Sequence, residues 1–217
     1  MPLINIIKYN ELIAFCNQTN TTLIAVSKTK PIEAIEALYK LGQRDFGENY
    51  VQELVAKQAA LPKDIRWHFI GHLQTNKVKY IAPFVHIIHG VDSIKLYTEI
   101  AKQATKLNKK INCLLQAHIA TESTKFGFNV AELNAENINN FAQPFAPIMG
   151  FMGMASFSQN EAQIANEFSS LKNCFNTTKT AMPAVTTLSM GMSGDYKLAV
   201  AHGSNMIRVG SLLFGNR

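Results

Sequence analysis

A chain of 217 residues, 47% hydrophobic and 17% charged, is long enough to bury a full core and has a globular make-up, which excludes a disordered chain. The formal charge of +6 admits anionic ligands, but its densest run, Lys106-Leu107-Asn108-Lys109-Lys110, falls where a helix should end and lysines complement the dipole; no nucleic-acid motif accompanies it. Three scattered cysteines (Cys16, Cys113, Cys174), no signal-peptide pattern in Met1-Pro2-Leu3-Ile4-Asn5 and no apolar run of ~20 residues exclude a disulfide framework, a zinc site and a membrane span, and predict the cytoplasm.

Short β-prone runs alternate with longer helical stretches along the chain. A helix precedes the first strand, Thr22–Val26, and another follows over 31–41. A short strand, Arg44–Phe46, leads into a helix over 48–60; Arg66–Ile70 leads into one over 75–81. Strand Val85–Gly90 precedes a helix over 93–107, where Ile94, Tyr97, Ile100, Ala101 and Ala104 share one apolar face and Asp92 or Ser93 supplies the N-cap. Ile111–His118, a helix over 130–141, Ile148–Met152, a helix over 159–179, Ala184–Leu188, a helix over 194–201 and Met206–Val209 complete the alternation. Eight strands separated by helices predict a single (β/α)8 barrel domain over residues 1–217 with an extra N-terminal helix. An open doubly wound sheet is the alternative, but no GxGxxG turn follows the first strand.

Side chains at the carboxyl ends of barrel strands converge on one face. Those positions hold Lys28, Glu48-Asn49, His72, Asp92, Glu122 with Lys125, Met152-Gly153-Met154, Ser189 to Ser193, and Arg208-Gly210-Ser211. Helix caps account for Asp92 and Asp195, but not for Lys28 or Arg208, because a cation near a helix N-terminus opposes the dipole. A loop lysine is ordinarily solvated; Lys28 stands out by its place after the first strand, where apolar walls and a second cation depress an amine pKa and favour imine formation. Ser189-Met190-Gly191-Met192-Ser193-Gly194-Asp195 and Arg208-Val209-Gly210-Ser211 follow strands seven and eight, the recurrent phosphate position of this fold. Their glycines allow close backbone approach and their serines add donors.

His68, inside a strand, reads as a satisfied core histidine, whereas His72 is better placed at the mouth. His86, His89, His118 and His202 form no metal spacing, and the methionines at 149, 152 and 154 suit core filling as well as a flat ring.

Five ordered stretches carry a resemblance: Ala25-Val26-Ser27-Lys28-Thr29-Lys30-Pro31, Phe46-Gly47-Glu48-Asn49-Tyr50, Trp67 to Lys77, Leu188 to Ser193, and Arg208-Val209-Gly210-Ser211 with Phe214-Gly215. Together they resemble the pyridoxal-phosphate homeostasis proteins, which are similar to the N-terminal barrel domain of alanine racemase among fold-type III proteins of pyridoxal 5′-phosphate (PLP). The resemblance implies that Lys28 holds PLP as a Schiff base. It also implies that Ser189, Met190, Ser193, Gly210 and Ser211 hold the phosphate, that Arg208 faces the pyridine nitrogen, and that Asn49, His72 and Met152 line the pocket. Phe151 stands where leucine is more usual in the Gly-x-Met segment. Arginine offers only donors and leaves the ring nitrogen unprotonated, which disfavours transamination and decarboxylation. In two-domain racemases a tyrosine from the partner's β-domain supplies the second acid/base, and the resemblance covers no such domain.

The resemblance therefore implies a PLP-binding homeostasis protein, a monomer without catalytic residues or metal, passing PLP to PLP-dependent apo-enzymes. Two rivals are a single-domain amino-acid racemase using Lys28, and a sugar-phosphate barrel enzyme without PLP.

Overall fold

A computed structural model describes residues 3–121, 126–134, 137–138 and 141–215. The chain runs α1 (Ile6–Thr19), β1 (Thr22–Val26), α2 (Ile32–Lys40), β2 (Asp45–Glu48), α3 (Val51–Ala60), β3 (Arg66–Phe69), α4 (Val78–Ile81), β4 (Ile87–Val91) and α5 (Ile94–Lys106). It continues through β5 (Asn112–His118), the two-residue β6 (Phe128–Asn129), β7 (Ile148–Gly153), α6 (Glu161–Ala181), β8 (Thr187–Ser189), α7 (Tyr196–Ala201), β9 (Met206–Val209) and α8 (Ser211–Phe214).

The strands order as β4-β3-β2-β1-β9-β8-β7-β5, and a β4–β5 pairing closes the ring. Every pair is parallel, so the predicted eight-stranded barrel is present. β6 lies outside the ring and extends the β5 edge at Ala117 and His118. The helix expected over 130–141 begins as a 3-10 helix at Val130–Glu132, and residues 135–136 and 139–140 of it lie outside the described residues.

Local signals set the elements. Asn5 accepts from the Lys8 amide to start α1, and Asn20, in the left-handed region at φ 50, ends it. Ser93, not Asp92, caps α5 by accepting from the Leu96 amide. Of the basic run beyond α5, the Lys109 side chain turns back to the Pro83 carbonyl (2.8 Å) and closes the end of α4, while its amide closes its own helix on the Ala104 carbonyl (3.0 Å).

Strand side chains alternate between two environments. Leu23, Ala25, Phe46, Trp67, Phe69 and Phe151 belong to the large core shared with the helices. Ile24, Ile87, Leu114, Met152 and Met206, from five strands, form a separate cluster that fills part of the barrel interior. Branched apolar side chains usually fill the rest of such an interior. Here Asp45, His68, His89, Ser189 and Arg208, all buried, take up that space.

Candidate functional site

The turn after β1 carries Lys28, half-buried between buried Ser27 and exposed Thr29. Thr29 has φ +62, a conformation that costs a β-branched residue on the order of 1–3 kcal/mol and must be held by its surroundings. α3 supplies the hold. The Thr29 amide donates to Glu53 Oε1 (2.6 Å), and Lys57 Nζ donates to the Ser27 carbonyl (2.7 Å), to Glu48 Oε1 (2.7 Å) and to Glu53 Oε1 (2.6 Å). The Ser27 hydroxyl donates to Glu48 Oε1 (2.6 Å). The peptide groups on both sides of Lys28 are therefore tied to one ion network. On the far side, Lys30 Nζ donates to the carbonyls of Phe214 (3.0 Å) and Gly215 (3.2 Å).

Lys28 shares a cavity of about 200 Å³ with Val26, Thr29, Lys30, Gly210, Ser211 and Gly215. Gly210 lies so close to β1 that a Cβ there would stand 3.2 Å from the Val26 carbonyl. Its amide donates to Ser193 Oγ (3.2 Å), joining the loops after β8 and β9. Lys28, Gly210 and Ser211 thus line one cavity, and Ser193 joins them through the Gly210 amide.

Four other expected residues lie deeper. Arg208, 4% exposed, donates to the Ser189 carbonyl (2.8 Å), to Ser189 Oγ (2.7 Å) and to the Gly153 carbonyl (3.0 Å). Burial pushes its pKa down to about 10, against the pull of Asp195, so it stays charged at neutral pH. The Ser189 hydroxyl is engaged beneath the loop. The Met190 amide donates to the Met206 carbonyl and to Ser204 Oγ, both at 3.1 Å. Met152 sits in the interior apolar cluster, with Met149 and Met154 packed on it.

Asn49 and His72 line a second cavity of about 190 Å³ with Tyr50, Gln52, Phe69, Gln74 and Lys77. His72 Nδ1 lies 2.8 Å from Asp92 Oδ2, and its ring stacks on Phe126 with centroids 4.1 Å apart. Asp92 thus orients a histidine instead of capping a helix. Asn49 Oδ1 is buried without a partner, an acceptor open to a donor. Glu48, expected at the mouth, is fully buried against α3; Lys57 lies nine residues on and draws its carboxylate away from the mouth. Glu122 and Lys125 lie outside the described residues.

The core reading of His68 holds. Its Nε2 is 3.0 Å from Asp45 Oδ1 and its Nδ1 is 2.9 Å from His89 Nε2. His89 Nδ1 is 3.3 Å from Ser189 Oγ. Burial lowers the pKa of His68 against the pull of Asp45; burial, His68 and Arg208 lower that of His89 well below its ordinary value. Burial alone would raise Asp45, but hydrogen bonds from Arg66 and His68 outweigh it and hold the carboxyl at about 2.

Both shifts make acid destabilising. Below about pH 6.5 the unfolded histidines take up protons that the native ones refuse, so stability falls as pH drops from there toward their folded values. Asp45 adds a second loss as pH falls from its ordinary value of 3.8 through about 2. Glu48, raised by burial, opposes this between its ordinary and folded values. Denaturant unfolding at pH 7, 6 and 5 should show a steady loss of stability; a flat profile would contradict neutral buried imidazoles.

Sequence reasoning did not find Glu53, Lys57, Asp45 or His89. Glu53 and Lys57 carry only an i,i+4 signal, which ordinarily marks a solvated helix face.

The barrel and its mouth define a recognisable class: the family model described as "Alanine racemase, N-terminal domain" matches residues 8–217. A pyridoxal phosphate homeostasis protein of Vibrio alginolyticus is 37% identical over 219 residues, covering 97% of this chain and 93% of the relative. PipY of Synechococcus elongatus, solved without PLP, is 36% identical with TM-score 0.87 over 95% of this chain and 99% of PipY. Its structure with PLP bound matches with TM-score 0.84 over 96% of this chain and 100% of PipY. An alanine racemase of Clostridium difficile, 12% identical with TM-score 0.73, shares the fold; this chain matches 56% of its length. The chain belongs to the pyridoxal phosphate homeostasis protein family.

Proposed function

We propose that the chain binds PLP at the barrel mouth and serves PLP homeostasis without dedicated turnover. The observation that carries this reading is the half-buried Lys28 sharing one cavity with Gly210 and Ser211. The donor set fits the group: an amine for an aldehyde, hydroxyls and a close backbone for a phosphate, and a buried cation. PLP would supply the aldehyde and an electron-withdrawing ring. Lys28 would bind the aldehyde carbon, releasing water. Ser193, Gly210 and Ser211 would hold the phosphate, and Arg208 would face the ring nitrogen with donors only. Ser189, Met190 and Met152 would act beneath the ring, with Asn49 and His72 at the pocket wall.

Racemisation needs a second acid/base opposite Lys28. Glu48 is committed to Lys57 and Ser27. His72 is bonded to Asp92 and lines the other cavity. Among the described residues this supports a binding role over an enzymatic one. The same reading makes the protein a cytoplasmic, single-domain monomer that passes PLP to apo-enzymes; among the described residues no helix is long and apolar enough to cross a membrane.

Adding PLP should produce a visible absorption band, and amino acids incubated with the loaded protein in deuterated water should keep their optical rotation. Rapid inversion abolished by Lys28→Ala would make it a racemase instead. Ser211→Ala should weaken PLP about ten- to a hundred-fold while sparing unphosphorylated pyridoxal, since a hydrogen bond to a charged group is worth roughly 1.5–3 kcal/mol. Equal weakening of both ligands would remove Ser211 from the phosphate site.

A further inference from the structure

The polar groups inside the barrel connect in one line. It starts at Asp45, where β2 and β3 begin and Arg66 forms a half-exposed ion pair with it, and passes through His68, His89 and Ser189 to Arg208. The contacts join positions far apart in sequence, His89 and Ser189 being 100 residues apart, so the line exists only in the closed barrel.

The chemistry of its two ends dictates its direction. A guanidinium only donates, so Ser189 Oγ accepts from Arg208. A hydroxyl has a second lone pair and can accept from His89 as well, so the far end decides. The Asp45 carboxylate only accepts, which puts the proton of a neutral His68 on Nε2 and leaves its Nδ1 to accept from His89. A neutral His89 therefore carries its proton on Nε2, and its Nδ1 is the bare nitrogen that takes the Ser189 proton. Every group in the line is matched in this single arrangement. An extra proton on His68 would set two N–H groups against each other, and one on His89 would turn the Ser189 hydroxyl away from the line.

We propose that Asp45, His68 and His89 are positioning residues that act through Ser189 to fix the guanidinium of Arg208, and with it the donors presented to the ring nitrogen of the cofactor at the mouth. The proposal rests on the PLP reading only for its last step. Ser189 and Gly153 alone would hold two edges of the guanidinium through carbonyls; the relay adds a hydrogen-bonded hydroxyl whose proton cannot turn back toward Arg208. The interior thereby spends packing volume on polar groups that branched apolar residues fill elsewhere in this fold. Buried polar lines of this kind impose geometry when complete.

The test begins with the unloaded wild-type protein. Nitrogen-15 spectra of its histidine side chains at pH 7 should show His68 and His89 both neutral and both protonated on Nε2. Either imidazole charged, or protonated on Nδ1, overturns the relay whether or not the protein binds PLP. In the second arm, His89→Leu should shift the Arg208 guanidinium resonances and the absorption maximum of bound PLP. PLP affinity should fall by only about three- to ten-fold, because the direct contacts of Arg208 remain. His89→Gln, which can both accept from Ser189 and donate to His68, should restore both signals. A His89→Leu protein that is less stable but spectroscopically unchanged would reduce the line to a structural role and overturn the proposal. Should that variant not fold, the tautomers of the wild type still decide. A wild type with the expected tautomers and no PLP band would sink the PLP reading while leaving the relay to Arg208 intact.

Discussion

Lys28→Ala is expected to leave the protein folded, with stability within about 1 kcal/mol of the wild type, and to abolish the visible band of bound PLP. Its side chain is only half-buried, and the network that shapes the turn contacts the peptide groups of Ser27 and Thr29. Without the amine, the loops carrying Ser193, Gly210 and Ser211 would hold PLP through its phosphate alone. Affinity should fall on the order of a hundred-fold or more, at least about 2.7 kcal/mol. Borohydride treatment of the loaded wild type, followed by peptide mapping, should place the phosphopyridoxyl mass on Lys28. A mass on the neighbouring Lys30 would refute the assignment. The geometry disfavours that outcome, because Lys30 Nζ is held by the carbonyls of Phe214 and Gly215.

Local signals made the barrel legible. Thr22–Val26 and Met206–Val209 match their strands to the residue, since each is a short β-prone run between polar or glycine neighbours. β2 runs on to Glu48, where the sequence predicts the start of a helix over 48–60. Only Lys57, arriving from α3, makes a glutamate there tolerable in the core. The two-residue β6 escaped because its pairing with Ala117 and His118 is a tertiary event with no periodicity of its own. The site divides the same way. Lys28, Ser193, Gly210 and Ser211 stand directly after strands and are visible by position. The groups beneath the mouth are not: Asp45, His68 and His89 look like isolated polar residues on strands, and their contacts with one another and with Ser189 are set by closure of the ring.

Lys57→Met should be the most destabilising of these substitutions, by about 3–5 kcal/mol, because it strips the partner from a buried carboxylate. An exposed i,i+4 pair on a helix contributes only about 0.3–0.5 kcal/mol, and Glu53 with Lys57 read in sequence would suggest that smaller figure. Burial decides between the two. The side chains of Lys57 and Glu48 are 5% and 0% exposed, and Glu48 Oε2 has no hydrogen-bond partner even with Lys57 present. Removing the ammonium leaves Glu48 with Ser27 alone, so its carboxyl, already raised by burial, should move further up and favour the protonated form. The loss should therefore be greatest at neutral pH and shrink as the medium is acidified toward the raised pKa of Glu48, the reverse of the wild-type acid profile. Replacing Glu48 by glutamine in the Lys57→Met background should recover part of the stability, since the unpaired charge is gone. The turn should respond as well. With its Ser27 anchor lost and Glu53 freed, the strained Thr29 backbone can relax, and Lys28 loses its fixed approach to the cavity. Urea unfolding of the single and double variants at two pH values measures the first effect, and PLP titration of the folded fraction measures the second. A single variant within 1 kcal/mol of wild type would show that the network is a surface ion pair in effect and that Thr29 is held by something else.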